Sequence, residues 1–124
     1  MKILFDTNFL MLPFTCRVDV FDEAQRIAGE RAELCVLRAS LAELANVKGR
    51  DRLAGKAALV YLERNAHRFE FVEGAGKTDK QVLDFAHLHR GAAIATNDRA
   101  LRQRLRKAGA RPIVLRGRSH LEFG

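Results

Sequence analysis

The sequence predicts an α/β fold built on a parallel sheet covered by helices on both faces. Two observations carry that prediction. Short apolar segments of strand length alternate with longer ones whose apolar residues recur every three or four positions. Two of the strand segments, Lys2–Asp6 and Ala92–Thr96, run into aspartates, Asp6 and Asp98. These stand at the carboxyl edge, where open parallel sheets bind ligands.

In chain order, Lys2–Asp6 is the first strand. A helix begins near Asp19, with Val20, Phe21, Ala24, Ile27 and Ala28 on one face and Gly29 near its end. Glu33–Leu37 is the second strand, short and apolar. Ser40 is the expected cap of a short helix over Leu41–Val47, which Gly49 ends. Arg52–Asn65 is a longer helix with Leu53, Ala57, Val60, Tyr61 and Leu62 at helical spacing. Phe69–Val72 is the third strand, and Gly74 and Gly76 mark a loop. Thr78 or Asp79 is the expected cap of a helix whose apolar face is Val82, Leu83, Phe85, Ala86 and Leu88, closed by Gly91. Ala92–Thr96 is the fourth strand, Asp98–Ala108 a helix ended by Gly109, and Pro112–Leu115 the last strand. Right-handed crossovers should connect them. Phe9, Phe14 and Phe21 are expected in the core.

With 124 residues, 48% of them hydrophobic, and no linker or repeat, a single domain over residues 1–124 is expected. No apolar run approaches the roughly 20 residues of a membrane span, so no membrane partner is expected. The apolar N-terminal stretch is interrupted by Asp6 and Asn8 and lacks a small-residue cleavage site, unlike a signal peptide. Cys16 and Cys35 form no CxxC pair, and two cysteines are too few for a secreted scaffold, which makes a cytoplasmic location the expectation.

The net charge of +7, with a pI near 10.1, points to a polyanionic partner, nucleic acid first. From Arg99 to Arg118 there are eight basic residues and no acid. Arg99, Arg102 and Arg106 in that stretch are candidate RNA contacts, although a solvated helix surface explains the same composition.

Against this basic background four carboxylates stand out. Asp6 ends the first strand. Glu43 is the only acid between Glu33 and Asp51, on a small apolar helix, which suggests a packed helix with its carboxylate aimed inward. Asp79 opens a helix, where backbone N–H groups favour an anion. Asp98, the only acid between Asp84 and Glu122, follows the fourth strand. Each has a plain alternative as a helix cap or an exposed helix acid. Asp84 is expected to face solvent.

If the sheet reverses its strand order between the first and fourth strands, Asp6 and Asp98 share one crevice. Carboxylates gathered there raise one another's pKa unless a cation sits among them. Hard ions such as Mg²⁺ or Mn²⁺ take oxygen ligands, acidify water and neutralise charge on a phosphoryl group.

The segments Asp6-Thr7-Asn8-Phe9-Leu10, Ala42-Glu43-Leu44, Asp79 before Val82-Leu83, and Thr96-Asn97-Asp98-Arg99-Ala100-Leu101 resemble, in order, the motifs of PIN-domain ribonucleases. The resemblance spans nearly the whole chain. It implies a three-layer α/β/α fold with a five-stranded parallel sheet in the order 3-2-1-4-5. It further implies Mg²⁺- or Mn²⁺-dependent hydrolysis of RNA that leaves a 5′-phosphate and a 3′-hydroxyl. Asp6, Glu43, Asp79 and Asp98 would be the catalytic and metal-binding acids, with Asn8 and Thr96 as polar supports.

Many relatives carry a second acid just after the third motif, where this chain has Lys80; that departure bears on whether one metal or two would bind. Leu12-Pro13-Phe14 followed by Val18-Asp19-Val20-Phe21 resembles the archaeal relatives of ribosomal-RNA processing nucleases. Ribonuclease toxins of toxin–antitoxin pairs are similar in length and acids. The implied partners are therefore RNA, ribosomal RNA in the first case, an antitoxin in the second, and a homodimer partner in either.

A haloacid-dehalogenase-type phosphatase would need an acid at the position of Asn8. A non-catalytic RNA-binding assembly factor on the same fold is the serious rival. His87 and His89, two apart on a helix, point to different faces, and His67 and His120 are isolated.

Overall fold

The computed structural model describes residues 1–124, and its element order follows the alternation seen in the sequence. Strand β1 (Lys2–Phe5) leads into two short helices, α1 (Thr7–Leu10) and α2 (Leu12–Thr15). Helix α3 (Val20–Ala28), strand β2 (Glu33–Leu37), helix α4 (Arg38–Ala45) and helix α5 (Arg52–Arg64) follow. Next come β3 (Phe69–Val72), α6 (Thr78–Leu88), β4 (Ala93–Ala95), α7 (Arg99–Lys107), β5 (Arg111–Arg116) and β6 (His120–Phe123).

The sheet order is β3-β2-β1-β4-β5-β6. The first five strands are parallel and stand in the expected order, with β1 between β2 and β4. Burial follows the two-residue period of a strand. Ile3, Phe5, Leu34, Val36, Ala93 and Ala95 face one layer, with Phe21, Leu44, Ala58 and Leu62 from α3, α4 and α5. Leu4, Cys35, Leu37 and Ile94 face the other, against Val82, Phe85 and Ala86 of α6 and Leu101 and Leu105 of α7. Phe21 keys the first layer: its ring stacks on Tyr61 at 5.4 Å and meets Phe5 and Phe69 edge-on.

Several expectations need correction. The sheet has a sixth strand, β6, antiparallel to β5. Gly117 and Arg118 both take positive φ, and the Ser119 N–H donates to the Arg116 carbonyl to close the turn. Paired positive φ values match the right-handed twist of a tight hairpin, which folds Leu121 back onto the core. The helix expected over Leu41–Val47 begins earlier, at Arg38, so Ser40 lies inside it, fully buried, rather than capping it. Neither Thr78 nor Asp79 caps α6: Lys77 holds the N-cap position without a side-chain bond, and Asp79 sits in the first turn. Phe9 and Phe21 are core residues, but Phe14 is 41% exposed because α2 turns it away from the sheet.

Helix α4 sits close against α5 because residue 55 is glycine. A Cβ there would stand 2.7 Å from the Leu44 carbonyl oxygen and 3.0 Å from the Val47 side chain. Alanine is normally the better helix residue by roughly 1 kcal/mol, but here the backbone contact outweighs that preference. Gly55→Ala is therefore expected to lower stability by about 1–2 kcal/mol in urea unfolding, through overpacking of the α4–α5 contact.

Candidate active site

All four predicted acids reach the carboxyl edge of the parallel sheet. The β1–β4 pairing extends past the strand ends, since the Asp6 N–H donates to the Ala95 carbonyl at 2.9 Å. The Thr96 N–H in turn donates to the Ile113 carbonyl of β5 at 3.1 Å. The backbones on which Asp6 and Thr96 sit are thus part of the sheet.

Fully buried Thr96 links the two aspartates. Its hydroxyl donates to Asp6 Oδ2 at 2.9 Å and accepts from the Asp98 backbone N–H at 3.1 Å. The other Asp6 oxygen accepts from the Thr7 N–H, which caps α1. The Asp98 carboxylate accepts from the Leu101 N–H and caps α7. For Asp6 and Asp98, capping and a place in the cleft are compatible, because a carboxylate has about four lone-pair sites.

Glu43 is held from a different direction. Thr7 Oγ1 lies 2.8 Å from Ser40 Oγ and is also hydrogen-bonded to Glu43 Oε1. A carboxylate only accepts, so the Thr7 hydroxyl donates to Glu43 and its oxygen accepts from the Ser40 hydroxyl. Glu43 as a residue is exposed, yet this relay draws its carboxylate to the cleft. Sequence reasoning missed Thr7 and Ser40. The available signal was Ser40 three residues before Glu43, on the same helical face.

Two adjoining clefts result. One, about 230 Å³, is lined by Asp6, Thr7, Asn8, Glu43, Val47, Thr78, Asp79 and Asp98, so all four acids border it. The other, about 340 Å³, is lined by Asp6, Asn8, Phe9, Leu12, Asn97 and Asp98. Asp6, Asn8 and Asp98 border both.

Burial pushes the Asp6 carboxyl above its ordinary value; the Thr96 and Thr7 hydrogen bonds oppose this, while the charges of Asp79 and Glu43 add to it. No three Asp, Glu, His or Cys side chains converge tightly enough to coordinate an ion by themselves. A small hard cation of the Mg²⁺ type suits such a donor set, since it keeps several waters and uses one or two carboxylates plus substrate oxygens. The uncompensated charge around a half-buried Asp6 is the observation that fits a cation there.

The remaining candidates separate. Asn8 is exposed beside both clefts. Lys80 stays out: its ammonium is 2.7 Å from Asp84, which faces solvent as expected. Arg99 starts α7 beside Asp98, but the helix carries Arg102 and then Arg106 away, the latter roughly 10 Å further along the axis at 1.5 Å per residue.

Known proteins share this architecture. The profile of the PIN like domain family matches residues 3–118. Ribonuclease VapC4 of Methanocaldococcus jannaschii is 27% identical over 128 residues, covering 98% of this chain and 95% of that protein. The rRNA-processing protein fcf1 of Schizosaccharomyces pombe is 27% identical over 115 residues, covering 90% of this chain but only 57% of its own length. The solved structure of the PIN domain endonuclease Utp24 superposes with a TM-score of 0.79 at 23% identity, over 98% of this chain and 90% of that one. With the sheet order, the edge acids and a family match over most of its length in agreement, this chain belongs to the PIN-like domain family.

Proposed function

We propose that the protein is a divalent-metal-dependent endoribonuclease, acting through the cleft bordered by Asp6, Glu43, Asp79 and Asp98. The observation that carries this reading is the meeting of four acids from four separate segments at one sheet edge, on a chain whose net charge is +7. Mg²⁺ or Mn²⁺ held there supplies charge neutralisation at the phosphoryl group and acidifies water. Thr96 keeps Asp6 and Asp98 at a fixed spacing, and the Ser40–Thr7 relay orients Glu43. The basic surface draws in the RNA backbone, and the acids stop it from settling in the cleft without a cation.

Two biological roles follow from the same chemistry. Processing of ribosomal RNA is supported by the likeness to fcf1 and by the Leu12-Pro13-Phe14 segment. A toxin of a toxin–antitoxin pair is supported by the agreement in length with the VapC4 ribonuclease. Expression that arrests growth, relieved by Asp6→Asn, selects the toxin; accumulation of rRNA precursors on loss of the gene selects processing.

Purified protein incubated with structured and single-stranded RNA is expected to cut in Mn²⁺ or Mg²⁺ and not in EDTA. Thr96→Val should reduce the rate roughly 10–100-fold, the range for a residue that orients metal ligands. Asp6→Asn should reduce it further. Wild-type rates in Asp6→Asn would sink the assignment, and RNA binding without cutting by the wild type would favour a non-catalytic assembly factor.

Asp6 also links stability to pH. Its folded pKa lies above its unfolded value near 3.8, so between those values the folded state holds more protons than the unfolded state. Metal-free protein therefore loses stability across the window that opens near pH 3.8 and closes above the raised folded pKa. In EDTA at pH 7, Asp6→Asn should melt above wild type. Mn²⁺ should raise the wild-type melting temperature and leave that of the variant nearly unchanged. A variant that melts lower in EDTA would contradict the burial account.

A further inference from the structure

The larger cleft is only partly acidic, and its other half has the composition of a site for an organic ligand. Phe9 and Leu12 give it an apolar wall, and Asn97 faces them from the segment after β4. At about 340 Å³ it lies at the small end of the roughly 300–1,000 Å³ of small-molecule pockets, a size for one nucleotide unit rather than two. Asn97 is fixed in orientation: its Oδ1 accepts from the Leu115 N–H at 3.2 Å, which leaves its amide NH₂ as an uncommitted donor.

The β5–β6 hairpin is tied at two points to segments that line this cleft. It is anchored to Asn97 through Leu115, and from its tip Arg118 reaches Cys16, with Nη2 3.6 Å from the sulfur. Cys16 closes the turn of helix that begins at Leu12, its N–H donating to the Leu12 carbonyl at 2.8 Å. Arg118 thus lies within one helical turn of the apolar wall. Arg116 is engaged by Glu122, whereas Arg118 has no carboxylate partner. The only two non-glycine residues with positive φ are Arg118 and Arg17, the latter next in sequence to Cys16, so both sides of this contact hold backbone that non-glycine residues rarely adopt.

We propose that the cleft between Leu12 and Asn97 is a subsite for one nucleoside unit of single-stranded RNA beside the bond that is cut, with Arg118 holding the adjoining phosphate. The apolar wall takes the face of an unstacked base, and the Asn97 amide donates to an acceptor on the base edge. The guanidinium pairs with phosphate oxygens, and its place beyond the acids keeps it from quenching their charge. The subsite rests on the ribonuclease reading, but its binding can be measured apart from cleavage.

The test is fluorescence anisotropy in Mg²⁺ with a short single-stranded oligoribonucleotide whose phosphorothioate linkages resist cutting, and with its abasic counterpart. Arg118→Gln should weaken binding about tenfold and Arg118→Lys should recover most of it, while Arg104→Gln, an exposed cation elsewhere on α7, should change binding less than twofold. The abasic probe should bind about tenfold more weakly than the intact one to wild type, and the two should bind alike to Asn97→Ala or Leu12→Ala. Equal losses from Arg118→Gln and Arg104→Gln, or equal binding of the two probes by wild type, would overturn the subsite. Cut-site mapping in random-sequence RNA separates the two levels. If wild type cuts with a base preference beside the cut, Asn97→Ala should flatten it, and an unchanged preference overturns the subsite while leaving the nuclease reading intact. If wild type cuts nothing, the nuclease reading falls and the binding comparison alone decides the subsite.

Discussion

The pairing of β1 with β4 is the constraint on which the rest depends. Chain connectivity separates Asp6 from Thr96 by ninety positions, and only the parallel register Ile3 to Ala93, Leu4 to Ile94 and Phe5 to Ala95 puts them side by side. Because Asp6 and Thr96 continue the hydrogen-bonded ladder, their positions inherit the rigidity of a strand buried on both faces. A shift of one residue would exchange the two core layers, turning Phe5 and Ile3 into the space filled by Leu4. The cleft and the core are therefore specified by one register.

Much of this was legible in the sequence. The five parallel strands and their helices followed from apolar runs and periodicity, because buried strands and amphipathic helices leave strong local patterns. What was not legible came from interactions of another kind. Strand β6 carries only Leu121 and Phe123 as an alternating pair, too short a pattern to announce a strand, and it exists because the Gly117–Arg118 turn returns it to β5. Helix α4 starts at Arg38, without any side-chain cap to signal it. Ser40 looked like a cap because serine favours that place, but packing against Thr7 draws it inside. Hydrophobicity alone points Phe14 to the core, whereas the two short helices after Asp6 turn it outward.

The acids were visible as isolated charges on apolar or basic segments, and their convergence required the strand order. The hydroxyls that hold them were only half visible. Thr96 stood out beside Asp98, whereas Thr7 and Ser40 act across 33 positions of chain and leave no local mark. Charge is distributed with the same economy: Lys80 is tied to Asp84, and the α7 guanidiniums lead away from the cleft, so the negative potential at the sheet edge survives on a cationic molecule.

The division of labour among the four acids has a practical consequence. Asp6 and Asp98 each cap the start of a helix, and Glu43 accepts from a buried hydroxyl, so altering any of them changes contacts of the scaffold as well as the charge of the cleft. Asp79 is different: it sits in the first turn of α6, and its carboxylate accepts no hydrogen bond from the protein. On the nuclease reading, Asp79→Asn is the gentlest way to silence the cleft, and thus the form best suited to capturing an intact RNA for crystallography.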